Sequence, residues 1–481
     1  MKSLGFQQFK QIHMIGIGGS GMIGLATILQ KRGFKITGSD LFITPEVEEL
    51  KKLGSKVQIG HDPNLIKNAD LVVASSAISK RNPELVFAKK LDITIIPRAE
   101  MLGTLMKPYR SIAVAGSHGK TSTTSIIASV FNAAGLSPTY VVGGQVLSIG
   151  RSSNLGDGSY MIVEADESDG SFLHLQPEIA VITNIDNDHL AFYDSNQDKL
   201  NQAFVSFAEN LPFYGHLIIT LDDSNISKIA KHIHRKKITF GFSSRNQFQI
   251  INVELLKGVQ SFQLLDTNTK KLYAFSTPLS GKHNIYNLCA AICVAIEEKI
   301  SISEIKKGLK NFKGVGRRFE AGKISISNQS KILIDDYGHH PTEILVTIKA
   351  IKEKFPKKRI LMIFEPHRYS RTKQLLKDFI KVLSKVDQLV LLDIYPASEK
   401  PIRGISSLRL MDEINQQKGN AINLSNVHAI EWITKNYKEF DILVTQGAGT
   451  ISQLNNSIKE KWALKKYQFC MEVCLRREMY P

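Results

Sequence analysis

Two glycine-rich loops, each entered from a short apolar run and left into helix-forming sequence, constrain this chain more than any other feature. They are Gly16-Ile-Gly-Gly-Ser-Gly21 and Gly116-Ser-His-Gly-Lys-Thr121, separated by about a hundred residues. Strand, glycine turn and helix in that order begin a parallel α/β unit, because the helix start points backbone N–H groups at phosphate oxygens. Two such units in one chain imply two phosphorylated ligands brought together, one as cosubstrate and one as substrate. That is the outline of an ATP-driven joining reaction.

The rest of the chain keeps the same alternation. With 481 residues it exceeds one core, and about 150 residues per domain suggests three. Strands are expected at Ile12 to Ile17, Lys35 to Gly38, Leu71 to Ser75 and Ile93 to Ile96, with a helix from Met22 to Arg32 stopped by Gly33. A second unit opens with a strand at Ile112 to Ala115 and a helix at Thr121 to Ala134, followed by strands at Tyr160 to Val163 and Ile179 to Thr183. Phe240 to Phe275 alternates like antiparallel strands, and Lys313-Gly-Val-Gly-Arg-Arg318 reads as a hinge. Strands at Lys331 to Asp335, Ile360 to Phe364, Leu389 to Ile394 and Ile442 to Thr445 mark a third unit.

Ligands of an open parallel sheet gather at the carboxyl ends of its strands, so the residues just past each strand matter most. The first loop has the G-x-G-x-x-G spacing with Asp40 at the end of the next strand, which meets the dinucleotide fingerprint. That fingerprint specifies a diphosphate and a ribose, and a UDP-sugar fits it as well as a nicotinamide cofactor. The second loop is a shortened relative of the Walker A loop, in which Lys120 would neutralise phosphates and Thr121 would bind Mg²⁺. Glu164-Ala-Asp-Glu-Ser-Asp169 packs four carboxylates into six residues after an apolar strand, a density that calls for cations. His189 is placed to join Thr121 and Glu164 as a metal ligand, and Asn184 and Asp188 face the same loop. Arg368 and Arg371, three apart after a later strand, suit bidentate recognition of a carboxylate.

Composition removes several other classes. No stretch approaches the roughly 18 apolar residues of a membrane span, and the start carries no secretory signal, so a cytoplasmic protein is expected. The net charge of +17 invites a nucleic-acid role, but the lysines are scattered and their densest clusters lack interleaved aromatics. Attraction of polyanionic substrates is the remaining use for that charge. Cys289/Cys293 and Cys470/Cys474 are each four apart in helix-like sequence, which suits packed thiols better than a zinc knuckle. A nicotinamide dehydrogenase and a nucleic-acid-binding ATPase stay open as rivals on these residues alone.

Taken together the motifs resemble the Mur ligase family. The likeness runs through both loops, Gly38-Ser-Asp40, Ser75-Ser-Ala-Ile-Ser79, Arg98-Ala-Glu-Met101, Glu164 to Asp169, Asn210 to Gly215, Asp335 to Glu343, Pro366 to Thr372 and Gln446-Gly-Ala-Gly449. It implies an α/β architecture of three domains: an N-terminal Rossmann-like UDP-sugar domain over 1–110, a central P-loop-type ATP domain with a mixed sheet over 111–318, and a C-terminal Rossmann-like amino-acid domain over 319–481. The implied reaction joins L-alanine to the lactyl carboxylate of UDP-N-acetylmuramate through an acyl phosphate, with ATP and Mg²⁺, for which Mn²⁺ can substitute. Gly18-Gly19-Ser20 and Glu167-Ser-Asp169 favour this reaction over a sibling ligase that returns a tripeptide to the same sugar nucleotide.

The resemblance also implies roles. Gly18, Gly19, Ser20, Gly21, Asp40 and Ser76 would hold the UDP-sugar. Gly116, Ser117, His118, Gly119, Lys120, Thr121, Ser122, His283, Asn284, Asn287, Asp335 and Asp336 would hold ATP. Lys120, Glu164, His189 and Arg317 would be catalytic, Thr121, Glu164 and His189 would bind metal, and Tyr337, His339, Arg368 and Arg371 would surround the amino acid. Asp188-His-Leu-Ala-Phe-Tyr193 departs from the family pattern by losing a second carboxylate, and Lys199 is out of register for the modified lysine of sibling ligases. A monomer or weak homodimer is expected, with small molecules as its partners.

Overall fold

The computed structural model describes residues 6, 8–148, 150–187, 190–256, 258–397, 399–417 and 419–462, with the backbone alone at 20, 190 and 191. The chain divides between Val315 and Gly316 into two compact units.

The first unit holds two sheets. One is wholly parallel, its strands in the order Lys56–Ile59, Lys35–Asp40, Gln11–Ile15, Leu71–Ala74 and Thr94–Pro97. Four of these were legible as apolar runs. Lys56–Ile59 was not, because it is an edge strand with mostly exposed side chains and offers no apolar period. The expected strand through Ile17 stops at Ile15, where Gly16 turns with φ 77°.

The second sheet has ten strands. Arg110–Ala115 lies at its parallel centre, flanked by Tyr160–Glu164 and Ile179–Ile182, with His216–Ile219 and Lys236–Gly241 continuing on the Ile179 side. Phe248–Leu256 joins Lys236–Gly241 in parallel, and Val259–Asp266 and Leu272–Thr277 then follow antiparallel, as the alternation of 240–275 indicated. At the other end Thr139–Val146 and Arg151–Asn154 pair antiparallel, a strand pair hidden in the sequence by Gly143, Gly144 and serines. One apolar core serves both sheets of this unit, running from Met14, Leu25 and Leu105 to Val163, Phe172 and Phe204.

Helix Lys120–Ala133 is buried along most of its length. It crosses helix Ile302–Asn311 at Gly308, where an added Cβ would stand 2.5 Å from the Val130 Cα. Cys289 and Cys293 lie buried in the core on helix Lys282–Glu297, and burial lifts both thiols well above the ordinary cysteine range. They are packing residues, as expected; Cys470 and Cys474 lie outside the described residues.

The second unit carries a six-stranded sheet in the order Glu320–Ile326, Gln329–Asp336, Ile442–Gln446, Ile360–Phe364, Gln388–Leu391 and Ala421–Asn423. Only the first pair is antiparallel. Two cores cover its faces, one around Ile344, Phe364 and Phe379 and one around Ile363, Phe440 and Leu454. Among the described residues no helix is long and apolar enough to cross a membrane.

Candidate active site

The second glycine loop connects the central strand Arg110–Ala115 to helix Lys120–Ala133. Its shape depends on two glycines. At Gly116, φ is 129° and a Cβ would collide with the Thr183 hydroxyl; at Gly119, φ is 81° and a Cβ would meet Asn287 Oδ1 at 2.5 Å. The neighbouring strand end fixes the loop further. Asn184 Oδ1 accepts from the His118 N–H at 2.9 Å, Asn184 Nδ2 donates to the His118 carbonyl at 2.9 Å, and the Thr183 hydroxyl donates to that carbonyl at 2.6 Å. His118 Nε2 stands 3.1 Å from Asp186, and the Asp186 N–H donates to Ser117 Oγ at 2.9 Å.

Lys120 is folded back over the loop. Its ammonium donates to the Gly116 carbonyl at 2.6 Å and to Glu167 at 2.9 Å. Burial opposes its charge, but Glu167, Asp166 and Glu164 together lift its pKa above the ordinary lysine value. Burial raises Glu167, which is almost wholly enclosed, to about 7 against the pull of Lys120. Thr121 donates to Glu164 Oε1 at 3.0 Å, while Glu164 Oε2 accepts from the Gly143 N–H at 2.7 Å. Pairing of the strands at Val114 and Glu164 is what brings this acid opposite the loop.

Other expected residues gather here as well. Asn287 accepts from the Thr123 hydroxyl at 3.3 Å on the buried side of Gly119. Asn284 donates to the Ser280 carbonyl at 2.7 Å, and Ser122 lies part-buried in the first helical turn. His283 retains some exposure, yet enclosure of its ring lowers its pKa to about 4. His189 and Asp188 lie outside the described residues. Lys199 is paired with Asp194 at 2.5 Å on the surface.

The first loop sits at the carboxyl end of the five-stranded sheet. Asp40 Oδ2 accepts from the Gly18 N–H at 2.8 Å and Oδ1 from the Leu41 N–H at 2.7 Å, so this acid shapes the loop itself. Gly19 precedes helix Ser20–Lys31, and the Arg98 guanidinium lies so close that a Cβ on Gly21 would be 2.9 Å from Nη1. Ser76 is exposed in the turn after Leu71–Ala74.

In the second unit Asp335 and Asp336 end the strand Gln329–Asp336, both buried. Asp335 takes bonds from Thr445 at 3.0 Å and Asn455 at 2.9 Å and pairs with Arg317 Nε at 3.3 Å. Asp336 accepts from the Phe319 and Gly338 N–H groups, each at 2.8 Å, and from Gln446 at 2.7 Å. Burial raises both acids above their ordinary values in spite of these donors. Arg317, with φ 57°, also donates to the Gly447 carbonyl at 2.6 Å. Tyr337 lies beneath the guanidinium groups of Arg317 and Arg318, 5.2 and 5.0 Å from its ring centre, and beside His339. Arg371 is buried with Nη1 3.3 Å from His367 Nδ1, whereas Arg368 is exposed with φ 72°. The structure therefore gives these two arginines different surroundings.

Three family models match the chain in succession: the Mur ligase family catalytic domain at residues 11–110, the Mur ligase middle domain at 114–295, and the Mur ligase glutamate ligase domain at 317–449. The chain belongs to the Mur ligase family. It is 46% identical to the UDP-N-acetylmuramate--L-alanine ligase of Vesicomyosocius okutanii over 451 residues, covering 93% of this chain and 96% of the relative. Among solved structures it is similar to the UDP-N-acetylmuramate-alanine ligase of Thermotoga maritima, with a TM-score of 0.80, 25% identity, and 94% and 98% of the two chains covered. The murein peptide ligase of Psychrobacter arcticus shares the fold at a TM-score of 0.71 and 22% identity, with 94% and 98% covered.

Two residues of this Mur ligase stand in the site without having been singled out from sequence. Glu167 was visible as one acid among four and as part of the Glu167-Ser-Asp169 pattern, but its distinction, full burial against Lys120, is tertiary. Arg98 belonged to a quoted motif but lies far from the first loop in sequence; nothing local ties it to Gly21.

Proposed function

We infer that this protein joins L-alanine to UDP-N-acetylmuramate with cleavage of ATP to ADP and phosphate, a step of peptidoglycan precursor synthesis. Likeness over 93% of the chain to a ligase of that name carries the reading, and the Lys120–Thr121–Glu164 geometry supplies its chemistry. A lactyl carboxylate oxygen attacks the γ-phosphorus and ADP leaves; the alanine nitrogen then attacks the acyl carbon and phosphate leaves. Lys120, protonated and fixed over the loop, offsets charge on the transferring phosphoryl group. The N–H groups at the start of helix Lys120–Ala133 cradle the phosphates, those of Ser117 and His118 being engaged by Asn184, and His283, Asn284 and Asn287 belong to the nucleotide side.

Hydroxyl and carboxylate oxygens are the hard donors Mg²⁺ takes, and Thr121 and Glu164 stand 3.0 Å apart at the strand end. They fit the ion, and we assign it to them, with His189 as the further expected ligand. Bound Mg²⁺, or Mn²⁺ in its place, would neutralise phosphate charge. We give the UDP-sugar to residues 1–110, ATP to 111–318 and the amino acid to 319–481. Arg317 and Asp336 are read as reaching the nucleotide, and Tyr337, His339, Arg368 and Arg371 as lining the alanine site. A cytoplasmic monomer or weak homodimer completes the reading.

The test is phosphate release by purified protein with ATP, Mg²⁺, UDP-N-acetylmuramate and, in turn, L-alanine, glycine, L-serine or the tripeptide. Release that needs both the sugar nucleotide and L-alanine, and that stops with EDTA, is expected. Release indifferent to UDP-N-acetylmuramate, or greater with tripeptide, would overturn the assignment.

A further inference from the structure

Beneath the first loop lies a cluster of titratable groups that the reaction above does not use. Glu84, the second residue of helix Pro83–Lys90, has no exposed surface, nor do His13 on strand Gln11–Ile15 and Ser39 on strand Lys35–Asp40. A carboxylate so enclosed needs donors. Glu84 receives the Ser39 hydroxyl at 2.6 Å, His61 Nδ1 at 3.0 Å and the Asp62 N–H at 3.3 Å, with His13 Nε2 approaching to 3.5 Å. Burial works to raise its pKa, but these partners bring the net shift below the ordinary glutamate value.

The bonds also decide the state of His61. Ser39 gives its one hydroxyl proton to Glu84, so toward His61, 3.1 Å away, Ser39 Oγ is an acceptor. Both neighbours of His61 Nδ1 are therefore acceptors, and Nδ1 must carry the proton. A neutral ring in that form presents Nε2 as an acceptor. His61 follows the strand Lys56–Ile59 at the carboxyl edge of the sheet, and its side chain is 18% exposed. It is joined to the loop through short links: the Ser39 carbonyl accepts from the Gly16 and Ile17 N–H groups at 2.9 and 3.1 Å, and the Asp40 carbonyl from the Gly60 N–H at 2.8 Å. In sheets of this winding the ribose end of a dinucleotide lies past the second strand, here Lys35–Asp40, and His61 stands past the edge strand paired beside it.

We propose that Glu84 is a positioning residue of the sugar-nucleotide site, holding His61 in the Nδ1–H form so that Nε2 accepts a hydrogen bond from an N–H or O–H of the nucleoside. The proposal rests on the assignment of 1–110 to a UDP-sugar.

It is tested on the full-length protein with UDP as the probe. In Glu84→Gln the amide oxygen is needed at the Oε1 position to accept from the Asp62 N–H, which puts the NH₂ at the Oε2 position facing both Ser39 Oγ and His61 Nδ1; Nδ1 then has to accept, which drives the ring to the Nε2–H form. Calorimetry is expected to show UDP binding weakened about tenfold, ATP binding within about twofold of wild type, and ¹⁵N spectra in which the His61 tautomer reverses. His61→Ala is expected to cost a similar factor, and the double variant no more than either alone. UDP affinity unchanged in Glu84→Gln overturns the proposal, as do additive effects in the double variant or a parallel loss of ATP affinity. If Glu84→Gln does not fold, His61→Ala decides: unchanged UDP affinity overturns, and a loss confined to UDP supports. Wild-type protein that fails to bind UDP sinks the domain assignment and the proposal together, whereas wild-type binding with an unaffected variant sinks the proposal alone.

Discussion

Burial works against the charge on Lys120, and the acids at and after the end of strand Tyr160–Glu164 outweigh it. Removing the amine leaves those carboxylates facing incoming phosphate without compensation. Lys120→Ala should therefore lower phosphate release by about a thousandfold or more, while UDP affinity, which we assign to the other sheet, stays within about twofold of wild type. Loss of UDP affinity in step with activity would contradict the assignment of the two loops to two ligands. His283 gives a pH prediction. Its pKa is about 4 in the folded chain against an ordinary 6.5, so the unfolded chain binds more protons between these values. Stability is therefore full above 6.5 and falls as the pH drops toward 4, by about 2 kcal/mol at pH 5. His283→Gln should flatten that part of the melting-temperature profile. A profile that keeps its full acid slope would show the ring is not held neutral.

Helix Lys120–Ala133 is an element that two partners position, the loop at its start and helix Ile302–Asn311 along its side. The crossing is tight because Gly308 has no side chain, and Ser129 donates to the Gly308 carbonyl at 2.9 Å. Gly308→Val must push the helices apart, at a cost of about 1 to 3 kcal/mol. Since the shifted helix begins at Lys120, the KM for ATP should rise with the loss of stability, and the same change at Gly322, where a Cβ meets nothing within 4 Å, is the control. Equal melting temperatures for the two variants would refute this account of the crossing. The sequence offered strand and helix here, and the P-loop helix was anticipated nearly to the residue. It offered no sign that a glycine near the end of a later helix sets its tilt.

At the scale of the whole molecule the net charge of +17 would attract two polyanionic substrates. Its effect is screened within about 10 Å at 0.1 M salt. KM values for ATP and UDP-N-acetylmuramate should each rise about threefold between 50 and 300 mM KCl, with kcat little changed. Flat KM values would assign the lysines to solvation alone.

The sequence by itself determined the order of strands and helices, the two phosphate loops and the family, because each is written in contiguous residues with a local physical rule. Apolar runs mark buried strands, and glycines mark turns that a side chain cannot enter. Edge strands such as Lys56–Ile59 and Arg151–Asn154 escaped because partial exposure removes the apolar period. Only the tertiary structure decided that Glu167 holds Lys120, that Arg98 lies against Gly21, that Arg371 is buried while Arg368 is exposed, and that Glu84 and His61 meet under the first loop. These are contacts between residues distant in the chain, whose burial and hydrogen bonding come from strand pairing and are carried by no local pattern.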